Sequence, residues 1–433
     1  MKDFLSSIQQ NVLLYDGSKG VMLQRKGLSG HEASEAWNLS HPEIVRNLYV
    51  EYRQAGSDII QTNTFPGNKI TLDKHGLGDK TYELVAAGVK LAREAAGEDT
   101  MIAASLGPTG TILEPSGDLS FEEAYDVFHE TLKAVEAAGA DLVNFETFID
   151  LNELRAAVLA AKETTKLPII ASATFESNGR TTFGNSPESC AIACQSLGAA
   201  MVGANCSGGP DSLIEPIKKM YTVASVPLCV KPNAGMPELL NGEIIYRQTP
   251  EQFSSYTKEF VENGVRLIGG CCGTSPEFIR ELKKALTGLE IPEIHLQSTP
   301  TLASAFNHLV LSPNQEHSVK RLSQDAMTSL IDGNFSSLAR ECRTDAFDYL
   351  LLDFGNIAET FFDVIDFAGQ FGLTIRKPVV LKAESPEIIE QFLRYYPGRA
   401  GVVVSENSKL SISRLEHYGA FIVNGDSDPF LGQ

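Results

Sequence analysis

The chain has 433 residues, 43% of them apolar, enough for two or three domains with substantial cores. Lysine and arginine number 36 against 55 aspartates and glutamates, and the net charge of −19 argues against nucleic-acid and membrane-surface partners. No apolar run nears the roughly 18 residues of a spanning helix, and the start, MKDFLSSIQQ, lacks a basic-then-apolar leader, so a cytoplasmic protein is expected.

Residues 1–290 repeat one rhythm: a short apolar run ends in small or polar residues, and a helical pattern follows. The runs are VLLYDG (12–17), DIIQTNTF (58–65), MIAASLGPTG (101–110), DLVNFETF (141–148), PIIASATF (168–175), AMVGANCS (200–207), PLCVKPNAG (227–235) and VRLIGGCCGT (265–274). They are too apolar for one-sided strands and read as strands of a parallel sheet, buried on both faces. Helix signals lie between them. Ser120 to Glu123 fits a capping box, Ser186, Thr249 and Ser275 each precede Pro-Glu, and glycine precedes the next strand in QAGSD, AAGAD, SLGAA and ENGVR. Eight such units predict an α/β fold, a (β/α)8 TIM barrel; an open doubly wound sheet is the alternative. In a barrel the strand ends carry the chemistry, and here they carry Asp16-Gly17, Asn63-Thr64, Glu146-Thr147, Asn205-Cys206, Asn233 and Cys271-Cys272.

Residues 291–303, opening on IPEIHLQSTP, read as a linker. Residues 304–433 then carry HLVLS (308–312), DYLLLDF (348–354), PVVLKA (378–383), AGVVVS (400–405) and AFIVN (420–424). Five strands are too few for a second complete barrel and predict a smaller, half-barrel-like α/β domain. Its open edges need cover from the first domain or from a second chain, which makes a homo-oligomer one expectation.

Seven cysteines in a long chain without an export signal read as free thiols or metal ligands, not disulfides. Cys206 ends one strand and Cys271-Cys272 ends another two strands later, so the three can meet at the barrel mouth. Adjacent cysteines reach one ion only where a strand breaks, and the glycines of GGCCGT supply that break. Three thiolates hold Zn2+ and leave a fourth tetrahedral position open. A substrate thiol bound there loses its proton near neutral pH yet stays nucleophilic, which favours alkyl transfer to sulfur. The bland alternative is that these cysteines are buried filler. Cys190 and Cys194, four apart on a helix, are better explained by packing, and Cys229 and Cys342 are assigned no chemistry.

GANCSGGP (203–210), KPNAG (231–235) and GGCCGTSPEFI (269–279) resemble the homocysteine S-methyltransferase family, as do DG-x-x-G (16–20), QTNTF (61–65), SLGPTG (105–110) and NFETF (144–148) in the same order. The likeness covers residues 8–290 and is strongest to the N-terminal homocysteine-binding module of cobalamin-dependent methionine synthases. It implies a barrel with Zn2+ on Cys206, Cys271 and Cys272 and homocysteine sulfur as fourth ligand. It implies that Glu146 and Asn233 hold the substrate's ammonium end. It further implies substrate-binding roles for Asp16, Gly17, Ser18 and Asn63, with the loop after Asp16 offering backbone N–H groups to the carboxylate. The family often has DGAMGT where this chain has DGSKGV, and Ser18-Lys19 is expected to leave the backbone role of that loop intact. PVVLKAESPEIIEQFLRYYPGRAGVVVSEN (378–407) resembles part of the pterin-binding barrel of the same enzymes, and DYLLLDFGN (348–356) stands where they have an acidic strand end near an Asn. Lys382-Ala383-Glu384 and Ser405-Glu406-Asn407 occupy strand ends where folate-binding signatures are expected, which argues against folate binding. The Asp-x-His-x-x-Gly string of corrinoid binding occurs as DKHGLG (73–78), but inside the barrel-forming residues and not in a separate domain, so this chain is not expected to carry cobalamin itself.

The reading is a zinc-dependent methyltransferase that makes methionine from homocysteine, with an external methyl donor. That donor is a methyl-corrinoid on a separate protein, or a sulfonium or ammonium compound. The alternatives are a thiol-binding subunit of a multi-component methionine synthase, whose second domain docks a partner or dimerises, and a relative acting on another thiol or a selenol.

Overall fold

The computed structural model describes residues 4–97, 99–240, 243–312, 315–322, 324–342, 347–355, 357, 362–404 and 411–424. Ser405, Glu406, Asn407 and Asn356, which figure in the comparison with the pterin-binding barrel, lie outside these residues.

All eight predicted barrel strands form. They are β1 (Leu13–Leu14), β2 (Ile59–Gln61), β3 (Met101–Leu106), β4 (Leu142–Phe148), β5 (Ile169–Ala173), β6 (Met201–Cys206) and β7 (Leu228–Pro232), followed, after a hairpin of β8 (Glu238–Leu240) and β9 (Glu243–Ile245), by β10 (Val265–Ile268). They lie in one parallel sheet of order β1-β10-β7-β6-β5-β4-β3-β2. The parallel bridge between Tyr15 and Ile59 joins its two ends into a ring. Every residue of β2, β3, β5, β7 and β10 is buried, as strands covered by helices outside and filled by side chains inside must be.

The helix signals act as chemistry dictates. Ser120 and Glu123 form the reciprocal capping box of helix Phe121–Ala138, and Thr249 does the same with Gln252. Ser186 caps helix Pro187–Ser196 through the Ser189 N–H, whereas the Ser275 side chain makes no cap bond and turns to Glu277. Gly56, Gly139, Gly198 and Gly264 all have positive φ, which returns the chain from helix to strand without a Cβ clash.

The second domain differs in detail from its sequence pattern. Its parallel sheet runs in the order β13 (Val319–Arg321), β14 (Tyr349–Asp353), β15 (Val379–Lys382), β16 (Gly401–Val404), β17 (Phe421–Asn424). The predicted strand at 308–312 is not a member: β12 (His308–Val310) pairs antiparallel with β11 (Thr301–Ala303), the last three residues of the expected linker. Leu302 packs in one cluster with Tyr349, Leu351, Val380 and Val423, so β11 covers this sheet. Among the described residues no helix is long and apolar enough to cross a membrane.

Candidate functional site

The sulfur atoms of Cys206, Cys271 and Cys272 all lie within 4.8 Å of one another. Cys206 is the last residue of β6, and Cys271 and Cys272 follow β10 after two glycines. A Cβ at Gly270 would collide with the Thr274 side chain, and Gly273 has φ +81°, so the loop turns tightly enough for adjacent cysteines to face one point. Backbone bonds fix it: the Cys271 N–H donates to Pro232 O (2.7 Å) and the Ala234 N–H to Cys272 O (2.9 Å). Among the described residues, the non-glycine residues with positive φ are Thr147, Cys206 and Ser207, all at strand ends around this point. Strained backbone of this kind persists where the surroundings hold it for a purpose.

The three thiols share charge. Hydrogen bonds from Cys271 and Cys272 pull the Cys206 thiol far below its ordinary range. The contact with Cys206 pushes Cys272 up, because a second thiolate beside the first is disfavoured without a cation. Cys190, Cys194 and Cys229 are buried and their thiols are raised by burial, as fits packing residues.

A cavity of about 440 Å³ opens over the cysteines, bordered also by Gly17, Ser18, Asn63 and Glu146. Glu146, near the end of β4, is buried and bonded to Ser105 and to the Lys231 ammonium. Lys231 also donates to Gln61 Oε1 (2.5 Å) and is 1% exposed. Burial pulls the Lys231 ammonium down, but Glu146 and Cys271 outweigh it and leave it above its ordinary value. Asn233 takes the Cys272 N–H on its Oδ1 (3.0 Å), and its side chain also hydrogen-bonds Cys206. Asp16 accepts from the Gln61 N–H (2.9 Å) and pairs with Lys19 (2.5 Å). The Ser18 N–H points to Thr274 Oγ1 (3.2 Å), and Ser18 Oγ accepts from the Val21 N–H (3.3 Å). Asn63 donates to Ser34 O (2.8 Å) and Asn38 Oδ1 (3.0 Å).

Four partners escaped the sequence reading: Lys19, Gln61, Lys231 and Glu35. Lys231 had a signal, a lone charge inside the apolar run PLCVKP of a strand read as buried. Glu35, on the 3-10 turn Ser34–Ala36, is fully buried and borders the same cavity, and nothing local to its sequence marks it.

Comparison with known proteins places this geometry. The family model of homocysteine S-methyltransferase matches residues 13–286. Methionine synthase of Mycobacterium tuberculosis is 31% identical over 324 residues, and that of Mycobacterium leprae is 31% identical over 329; each match covers 70% of this chain and 27% of the relative. The chain therefore spans about a quarter of the length of these relatives. The structure of the homocysteine methyltransferase MmuM from Escherichia coli in its metallated form aligns with a TM-score of 0.55 at 23% identity, over 64% of this chain and 96% of that one. Its oxidized form gives 0.56 at 23%, over 65% and 99%. The structural likeness speaks for the barrel, and the family match covers well over half of the sequence: this chain belongs to the homocysteine S-methyltransferase family.

Proposed function

We propose that the chain is a zinc-dependent homocysteine S-methyltransferase that forms methionine with an external methyl donor. The observation that carries this reading is the convergence of three sulfurs from two strand ends within 4.8 Å. Thiolates about 2.3 Å from one tetrahedral zinc stand roughly 3.8 Å apart, so Cys206, Cys271 and Cys272 fit that ion with small side-chain adjustments. Zinc held there supplies a Lewis-acid position that lowers the pKa of a substrate thiol.

The protein's own groups do the rest. Asn233 steadies the cluster through Cys272 and Cys206. Lys231 places a fixed cation beside a cluster that carries excess negative charge. The buried polar floor of Gln61, Glu146 and Lys231 offers both signs of charge to the zwitterionic end of an amino acid. The substrate sulfur, its proton gone to solvent, attacks the methyl carbon in line. The new S–C bond forms as the donor–methyl bond breaks, and the electron pair leaves with the donor.

Purified protein should contain about one zinc per chain, and Cys272→Ala should lose both metal and turnover. Retention of both would overturn the assignment. Homocysteine, cysteine and a thiol lacking the amino group, titrated in parallel, identify the acceptor. S-methylmethionine, S-adenosylmethionine, betaine and methylcobalamin, tested side by side, identify the donor. The parallel sheet of the second domain ends in β13 and β17, and these edges favour a secondary reading in which that domain docks a corrinoid protein or a second copy.

A further inference from the structure

Gln61, Ser105 and Lys231 stand two residues beyond Ile59, Ala103 and Cys229, members of one buried apolar cluster inside the barrel. Alternate residues of a strand face the same way, so the three form a polar layer over that cluster. Glu146 of β4 joins the layer through Ser105 and Lys231. Gln61 links it to a second ion pair: its Nε2 donates to Asp16 Oδ1 (3.3 Å), and its Oε1 accepts from Lys231 (2.5 Å). Asp16 is paired in turn with Lys19. The run Lys19, Asp16, Gln61, Lys231, Glu146, Ser105 is continuous, and its two cations match its two anions.

Stability alone does not account for this layer, because a buried ion pair gains little over apolar side chains of similar volume. Lys231 and Glu146 are almost wholly buried, yet both border the cavity over the sulfur cluster. Each is already satisfied by the other, so neither holds out a free charge to a ligand. A ligand meets instead the net charge of the floor, which is zero. An ammonium or a carboxylate brought alone to such a floor is desolvated without a counter-charge, whereas the two together on one carbon bring no net charge and align against the Lys231–Glu146 pair.

We infer that Lys231 is a specificity-determining residue: by cancelling the charge of Glu146 it sets the cavity to take a thiol whose far end is zwitterionic and to disfavour thiols whose far end is only a cation or only an anion. This inference rests on the proposed use of the cavity for thiol methylation. It requires no contact between Lys231 and the ligand, since charge acts across a buried site at a distance.

The test uses the full chain loaded with zinc, as wild type, Lys231→Met, Glu146→Gln and the double variant. Calorimetric titration compares homocysteine with 4-mercaptobutanoate, which lacks its amino group, and 3-mercaptopropylamine, which lacks its carboxylate. Wild type should bind homocysteine about tenfold or more tighter than either analogue. Lys231→Met leaves an anion in the floor and should move the ratio of the two analogue affinities about tenfold or more toward the amine. Glu146→Gln leaves a cation and should move it as far toward the carboxylate. The double variant, neutral again, should return to within about threefold of the wild-type ratio. Shifts are read between variants, so Glu32 and Glu35, which also border the cavity, cannot produce opposite signs. Glu146→Gln keeps a hydrogen-bond acceptor for Lys231 and tests the sign by itself should Lys231→Met not fold. Shifts in the same direction, or ratios within about twofold of wild type in the single variants, overturn the inference. In that outcome, zinc-dependent thiol binding by the wild type leaves the proposed methyltransferase standing; no thiol binding by the zinc-loaded wild type would remove both.

Discussion

At the scale of single residues, the floor of the site is an ion pair taken out of water. Lys231 and Glu146 are 1% and 5% exposed, and Gln61 and Ser105 complete their bonding. Breaking a buried pair from one side typically destabilises by about 3–5 kcal/mol, because the surviving charge is left unmatched, whereas removing both partners is far milder. Lys231→Met should therefore lower unfolding stability by about that amount, and Lys231→Met with Glu146→Gln should recover most of it. Urea denaturation of the two single variants and the double variant measures the coupling. Additive losses would mean that the two side chains act independently. The cysteines could be read from the sequence because their meaning lies in their type and motif. Lys231 is legible only as a lone charge in a buried run, because its meaning lies in Gln61 and Glu146, which arrive from β2 and β4, and nothing local to the sequence marks Glu35.

At the scale of elements, local chemistry and tertiary context divide cleanly. The eight barrel strands are legible because each is a both-face-buried apolar run closed by a turn signal, and that pattern needs no knowledge of partners. In the second domain the same criterion selects HLVLS, yet β12 takes an antiparallel partner, and the place in the parallel sheet goes to β13, whose Val319-Lys320-Arg321 carries two basic residues. An edge strand tolerates charge that a central strand cannot, so apolarity is the wrong signal there. The hairpin of β8 and β9 escaped notice for the converse reason: Leu239 and Ile244 are 77% and 65% exposed, so its apolar residues follow no burial pattern. Where the signal is local, energetics follow. Ser120 accepts from the Glu123 N–H (3.2 Å) and Glu123 accepts from the Ser120 N–H (2.9 Å) at the start of an 18-residue helix. Ser120→Ala should lower stability by about 1 kcal/mol, read as a shift in urea midpoint with unchanged slope, and should leave zinc content untouched because this cap is not among the residues bordering the cavity.

At the scale of the whole molecule, the two sheets are joined by a polar seam on the barrel helices. Arg394 pairs with Glu122 (2.7 Å), His417 meets Glu163 (2.7 Å), and Lys162 donates to His417 O (2.7 Å). At its centre stands Arg155, on helix Leu151–Thr164 and wholly buried, which donates to Leu393 O (2.9 Å) and Gly398 O (3.2 Å) of the second domain. Desolvation depresses its guanidinium to about 10, which still leaves it charged at neutral pH. Exposed pairs on such a seam contribute little individually, but a buried guanidinium capping two carbonyls is different. Arg155→Ala leaves both acceptors buried and unpaired at about 1–3 kcal/mol each and opens a cavity between the domains. The loss falls on the seam, since Arg155 is not among the residues that border the cavity over the sulfur cluster. Thermal unfolding followed by calorimetry should therefore change from one cooperative transition to two, the second domain melting first, with zinc stoichiometry preserved. A single transition displaced to lower temperature would mean that the domains remain one cooperative unit without this residue, held by the outer ion pairs and the apolar contacts of the seam.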